Sequence, residues 1–162
     1  MAIRYLKICL VLCVAGLGLF YALQNLVNLE AVETFVATVL SMEGHAAYPN
    51  AFGPAVTSGA LVWAAIAVIL AGEFLVGLVS LKGAWDMFAA RKADAARFNA
   101  SKTFGVLGAG LALIVWFGLF SVIGGAYFQM WQTELGNASL AGSFQYLGAA
   151  GLVLLFVNQH DA

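Results

Sequence analysis

The sequence predicts an all-α fold, a four-transmembrane-helix bundle with both termini on the cytoplasmic side. Three observations carry this. Hydrophobic residues make up 63% of the chain and charged ones only 9%, far from the balance of a soluble domain. Four apolar runs approach the roughly 20 residues that cross a bilayer as a helix. All seven Lys and Arg residues fall either before the first run or between the second and third. The connections are too short for a separate soluble domain, so residues 1–162 are expected to form a single integral membrane domain.

The first span is expected from about Ile8 to Val27, after a short start carrying Arg4 and Lys7. That start looks like the head of a signal peptide. Phe20 and Tyr21 crowd the candidate cleavage position before Ala22, however, so the run is expected to remain as a span. Cys9 and Cys13, one turn apart within it, read as small buried apolar residues with no redox role.

The first loop, Asn28 to Ala55, is long for a simple turn and places Leu29, Val32, Val36, Val39 and Leu40 at helical spacing. Glu30, Glu33, Thr34 and Ser41 occupy the other side, which predicts an amphipathic interfacial segment lying on the outer surface or continuing the first helix. Two proline-containing turns, at Tyr48-Pro49-Asn50 and Gly53-Pro54, then bring the chain back.

The second span is expected from about Val56 to Leu81, the third from Thr103 to Ala126 and the fourth from Ala141 to Val157. Between the second and third, Trp85, Phe88 and Phe98 stand among Arg91, Lys92 and Arg97, the composition of a second amphipathic segment resting on anionic headgroups. Gly105, Gly108, Gly110 and Gly118 in the third span predict close helix packing inside lipid.

Orientation follows from the cations, because Lys and Arg flanking a span resist translocation. The two connections without them carry Glu30, Glu33, Glu43 and Glu134, which gives an acidic outer face and a basic inner one. The net charge of −1 leaves no basic field for a polyanion, so nucleic acid is not an expected partner. Without an internal repeat, a transporter built from duplicated halves has no support.

Candidate chemistry is sparse. Glu73 is the one ionisable residue well inside a predicted span, and such a group is costly in lipid unless protonated, paired or facing protein. With Trp116, Ser121 and Gln145 as partners across the bundle it forms the candidate intramembrane polar or ligand site, and Lys82 lies within reach toward the inner end of its helix. His45 in the outer loop and His160 in the inner tail cannot form a bis-histidine haem site, and Glu43 with His45 lacks a third metal ligand. No resident cofactor is expected, although the bundle leaves room for a bound lipid or quinone. No glycine cluster has the setting of a phosphate loop, and no nucleophile has an evident base, so no catalytic residue is expected.

The most distinctive tract runs from Trp116 to Gln132. Trp116, Phe117, Phe120, Tyr127, Phe128 and Trp131 make it an aromatic patch at the outer membrane interface, with Gly124-Gly125 permitting a bend. The same residues form a candidate interface for another subunit, or a groove for a lipid or quinone ring.

This tract, with the run Phe35 to Glu43 and the later Phe144-Gln145-Tyr146, resembles a bacterial family of predicted small integral membrane proteins, domain of unknown function 2165. The resemblance covers nearly the whole chain and implies a bacterial inner membrane, but brings no catalytic residues with it. In that family an acidic residue often follows the paired glycines. This chain has Ala126 there, so no polar role is implied at that position.

Together these features point to a non-catalytic accessory or structural subunit packing against a larger bacterial inner-membrane complex, such as a respiratory or energy-converting one. Small residues four apart, Gly18 and Ala22, Ala60 and Ala64, and Gly108 and Ala112, would supply its packing faces. The alternative is a stand-alone four-helix carrier or sensor that binds a quinone, lipid or ion near Glu73. An enzyme acting on a lipid-soluble substrate ranks last.

Overall fold

A computed structural model describes all residues 1–162. Helix α1 spans Ala2–Val27 and α2 Leu29–Ser41, with only Asn28 between them. Helix α3 spans Gly59–Ala89, α4 is the short Ala95–Ala100, and α5 is Thr103–Leu113. The chain continues from α5 as a π-helix over Ile114–Tyr127, makes a 3₁₀ turn at Met130–Gln132, and ends in α6, Glu134–Asn158. Four of these stretches are long and apolar enough to cross a membrane. The fold is therefore a four-helix membrane bundle.

The helices outrun the predicted spans except at the start of α3, which begins at Gly59, three residues after the expected Val56. Helix α1 begins six residues before the expected Ile8, and α3 continues through Lys82 to Ala89. A helix in lipid satisfies its own backbone and extends as long as the sequence tolerates it, so hydropathy marks the crossing and not the helix end. Trp85 and Phe88, expected in a separate headgroup-bound segment, belong to the last turns of α3 and are exposed there. Phe98, expected on the same surface, is instead fully buried with Ile8, Val11, Ala84 and Met87. The Arg4 guanidinium sits 4.5 Å from its ring centre. Asp94 caps α4 by accepting from the backbone N–H of Arg97 at 2.8 Å.

Small residues set how closely the spans approach. A Cβ added to Gly18 of α1 would lie 2.6 Å from the Glu73 carbonyl oxygen and 2.7 Å from the Gly77 nitrogen of α3. Gly83 abuts the backbone of Gly105, and Gly108 abuts Ser80. Of the four glycines expected to bring the third span close to its neighbours, Gly105 and Gly108 do so. Around Gly110 and Gly118 a Cβ would find ordinary contact distances. Cys9 and Cys13 are free and exposed on the outward face of α1 instead of buried, because that helix turns Ile8, Val11, Val14 and Ala15 inward.

Helix α2 packs Leu29, Val32, Val36 and Leu40 of the predicted stripe against the first half of α3, with Val36 buried against Val62 and Ile66, while Val39 is buried with Phe128 and Met130. The π-helix is bonded i to i+5 at its end, where the Phe128 N–H donates to the Ile123 carbonyl at 2.9 Å. Gly124 and Gly125 make room for Met130 and Leu140, and the reversal comes after them, at Gln129 in the left-handed region with φ 51°.

The two ends of the bundle differ in charge. At one end Arg4 donates to the carbonyls of Arg91 and Ala93 at 3.1 and 2.6 Å. Lys7 donates to the Gln159 carbonyl and to Asp161, both at 2.7 Å, and Lys102 also pairs with Asp161. The other end carries Glu30 and Glu33 of α2, Glu43 just after it and Glu134 at the start of α6, and its two connections are joined where the Tyr48 N–H donates to Gln132 at 2.7 Å.

A polar cavity around Glu73

Glu73 lies at the middle of α3, with 14 residues of that helix before it and 16 after, so roughly 20 Å of helix separates it from either end. It is not near the inner end of its helix, as the predicted span boundary implied. Its side chain is 1% exposed. The Asn25 amide nitrogen, from the last turns of α1, donates to Oε1 at 3.0 Å and Oε2 at 2.9 Å. Lys82 does not reach it. That side chain pairs with Asp86 one turn further along α3, at 2.6 and 2.5 Å.

Glu73 and Asn25 form part of the wall of a cavity of about 370 Å³. Tyr21 of α1 and Tyr146 of α6 meet there through their hydroxyls. Their rings stand 4.9 Å apart and pack around Trp116, with centroid separations of 6.3 Å from Tyr21 and 5.7 Å from Tyr146. Ser139 and Ser143 of α6 complete the polar lining, and Val32, Phe35 and Val36 of α2 cover it on the side of the acidic end. None of its 14 lining residues is Lys, Arg or His, and Glu73 is the only acidic one.

A second cavity of about 280 Å³ adjoins the first, and Phe35, Val36, Ile69 and Phe120 line both. Thirteen of its 14 lining residues are hydrophobic. Ala64, Val68 and Ile123 on its rim are exposed on the outside of the bundle. Polar chamber and apolar groove thus lie side by side beneath α2.

Of the predicted polar site, Trp116 joins Glu73 in the cavity wall, while Ser121 and Gln145 do not line it. The Ser121 hydroxyl lies 3.5 Å from the Trp116 carbonyl, five residues back along the π-helix, and Gln145 is exposed. Asn25, Tyr21 and Tyr146 were absent from the predicted set. Tyr21 and Tyr146 lie near predicted span boundaries, where aromatic residues fit interfacial belts, and Asn25 lies two residues from the end of α1; the packing of α1 with α3 and α6 brings all three to one cavity.

The candidate aromatic interface divides between inside and outside. Trp116 and Phe128 are buried, and Phe120 lines both cavities. Tyr127 packs edge-on against Phe52 and Phe128, with centroids 5.0 and 4.7 Å away. Phe117 and Trp131 remain exposed, the latter with its ring centre 5.2 Å from that of Tyr48. Among the predicted packing faces, Gly18, Ala22 and Ala112 are buried within the chain and Gly108 is held against Ser80, which leaves Ala60 and Ala64 outward.

Fold and cavity define a multi-pass helical membrane protein with an acidic polar chamber at the centre of its bundle. The chain belongs to the family described as predicted small integral membrane protein, domain of unknown function 2165, whose model matches residues 3–160. No curated protein and no solved structure shows a significant match to it.

Proposed function

We propose that this protein is a stand-alone membrane protein that binds an amphiphilic small molecule within its bundle, with the polar head in the Glu73 chamber and the apolar part in the adjoining groove. The observation that carries the reading is the shared wall of Phe35, Val36, Ile69 and Phe120 between a polar cavity and an apolar one. Ligand sites for small molecules are concave, mostly apolar and provided with a few convergent polar groups, at volumes of roughly 300–1,000 Å³. The two chambers together fall within that range, and the exposed rim at Ala64, Val68 and Ile123 gives a bilayer-dissolved molecule a lateral way in.

The basic end faces the cytoplasm, by the rule that cationic flanks are retained, and the family resemblance supports residence in a bacterial inner membrane. On this orientation α2, which covers the chamber, lies toward the periplasmic side.

Native mass spectrometry of the protein released from lipid nanodiscs tests the binding. The expected result is a co-released small molecule whose retention is lost when Ile69→Trp fills the wall shared by the two cavities. Equal small-molecule occupancy of wild type and Ile69→Trp, or none in either, overturns the reading.

A second reading makes the chain a non-catalytic subunit of a larger assembly, and the outward Ala60 and Ala64 favour it. Co-purification of stoichiometric partners in mild detergent, lost on Ala64→Trp, would support this reading over the first.

A further inference from the structure

Building on the proposed amphiphile site, we infer that its head group is an organic ammonium, held by the Glu73 carboxylate and the aromatic rings of Tyr21, Trp116 and Tyr146. The chamber is asymmetric in charge. It has one carboxyl and no cationic side chain among its lining residues. A buried carboxylate without a counter-charge is costly, and the Asn25 amide is neutral. Some positive charge therefore belongs in this space whenever Glu73 is ionised.

The hydrogen-bond inventory leaves room for it. An ionised carboxylate has about four acceptor sites, and Asn25 occupies one on each oxygen. The two tyrosine hydroxyls are directed at each other instead of at Glu73. Glu73 lines the cavity, and its unused acceptor sites suit a cationic donor or the positive surface of a methylated ammonium. Aromatic faces attract the same charge through their quadrupoles, and the attraction strengthens out of water.

The other head-group chemistries fit less well. A phosphate or carboxylate head would meet a carboxylate and no Lys, Arg or His. Quinone carbonyls are acceptors only, and they bring no positive charge to an ionised Glu73. An alkylammonium satisfies both chambers, its charge beside Glu73 and its chain along Phe35 and Phe120 into the apolar groove.

The test uses the full chain in nanodiscs and a pair of probes of nearly the same shape, decyltrimethylammonium and its uncharged analogue in which carbon replaces nitrogen. Decylbenzoquinone serves as a neutral polar comparison, and binding is read from quenching or shift of tryptophan fluorescence. Decyltrimethylammonium is expected to bind wild type at least tenfold more tightly than the carbon analogue, and Glu73→Gln to remove about that factor. Tyr146→Leu keeps the carboxylate and removes one ring; it should weaken the ammonium several-fold without affecting the carbon analogue, and it carries the test if Glu73→Gln does not fold. Equal binding of all three probes, unchanged by either variant, overturns the ammonium assignment and leaves the amphiphile site standing. Absence of binding by every probe overturns both.

Discussion

The Asn25 side chain donates to both carboxylate oxygens of Glu73, at 3.0 and 2.9 Å, and thereby ties the last turns of α1 to the centre of α3. No other hydrogen bond to that carboxylate is present. Asn25→Ala strands a buried acceptor and is expected to destabilise the protein by about 1–3 kcal/mol. Asn25→Asp sets two carboxyls face to face and should cost more. Thermal unfolding in detergent micelles measures both. A double variant, Asn25→Ala with Glu73→Leu, should recover part of the loss, because it removes both members of the pair.

Asp161 accepts from Lys7 and Lys102, while Asn99 holds its backbone, with Asn99 Nδ2 donating to the Asp161 carbonyl at 3.0 Å and Asp161 N–H donating back at 2.9 Å. Asp161→Ala leaves two buried lysines without their counter-charge, a change expected to cost about 3 kcal/mol or more unless the tail detaches. Either outcome is visible, as a lowered melting temperature or as protease sensitivity after Asn158.

Burial pushes the Asp161 carboxyl up, but the hydrogen bonds and charges of Lys102 and Lys7 outweigh it and hold the group below its usual range. A carboxyl depressed in the folded state contributes stability that is complete above its unfolded value, about 3.9, and is lost as pH falls through its lower folded value. The stability gap between wild type and Asp161→Asn should therefore be constant from neutral pH to about pH 5, and close only in stronger acid. A gap that closes near neutrality would contradict this.

Close helix approach makes a graded prediction. Gly83→Leu has no space against the Gly105 backbone and should prevent normal assembly, and Gly108→Ala should destabilise by about 1–3 kcal/mol through its contact with Ser80. Gly148→Ala, with nothing within 4 Å of the added Cβ, should instead stabilise by about 0.5–1 kcal/mol. Ser80 has a buried hydroxyl without a hydrogen-bond partner, so Ser80→Ala should be neutral or stabilising. Parallel melting curves rank the four.

Orientation is tested with Cys9 and Cys13 replaced by alanine and one new cysteine at a time. Asn50→Cys should react with a membrane-impermeant maleimide in intact cells. His160→Cys should react only after the membrane is opened. The reverse pattern would invert the proposed topology.

Much of this protein is legible in its sequence because a bilayer imposes few solutions. Apolar runs of sufficient length become helices, since hydrocarbon offers no partner to an open backbone. The stripe from Leu29 to Leu40 was readable as a helix for the same periodic reason, and its Val36 and Val39 are buried. Glu73 could be singled out because a lone carboxyl among apolar residues is expensive wherever its helix lies.

What the sequence by itself determined is the number of membrane-crossing stretches, the segregation of basic and acidic residues between the two ends, and the presence of one ionisable group well inside an apolar run. Only the tertiary structure decided that Asn25, Tyr21, Trp116 and Tyr146 gather around that group, that Phe98 turns inward, and that a polar chamber adjoins an apolar groove. The physical reason is that transfer into lipid depends on each segment's own composition, whereas these neighbours depend on rotations and offsets between helices. Those are set by local contacts such as Gly18 on Gly77 and Gly83 on Gly105, whose partners are far apart in the chain.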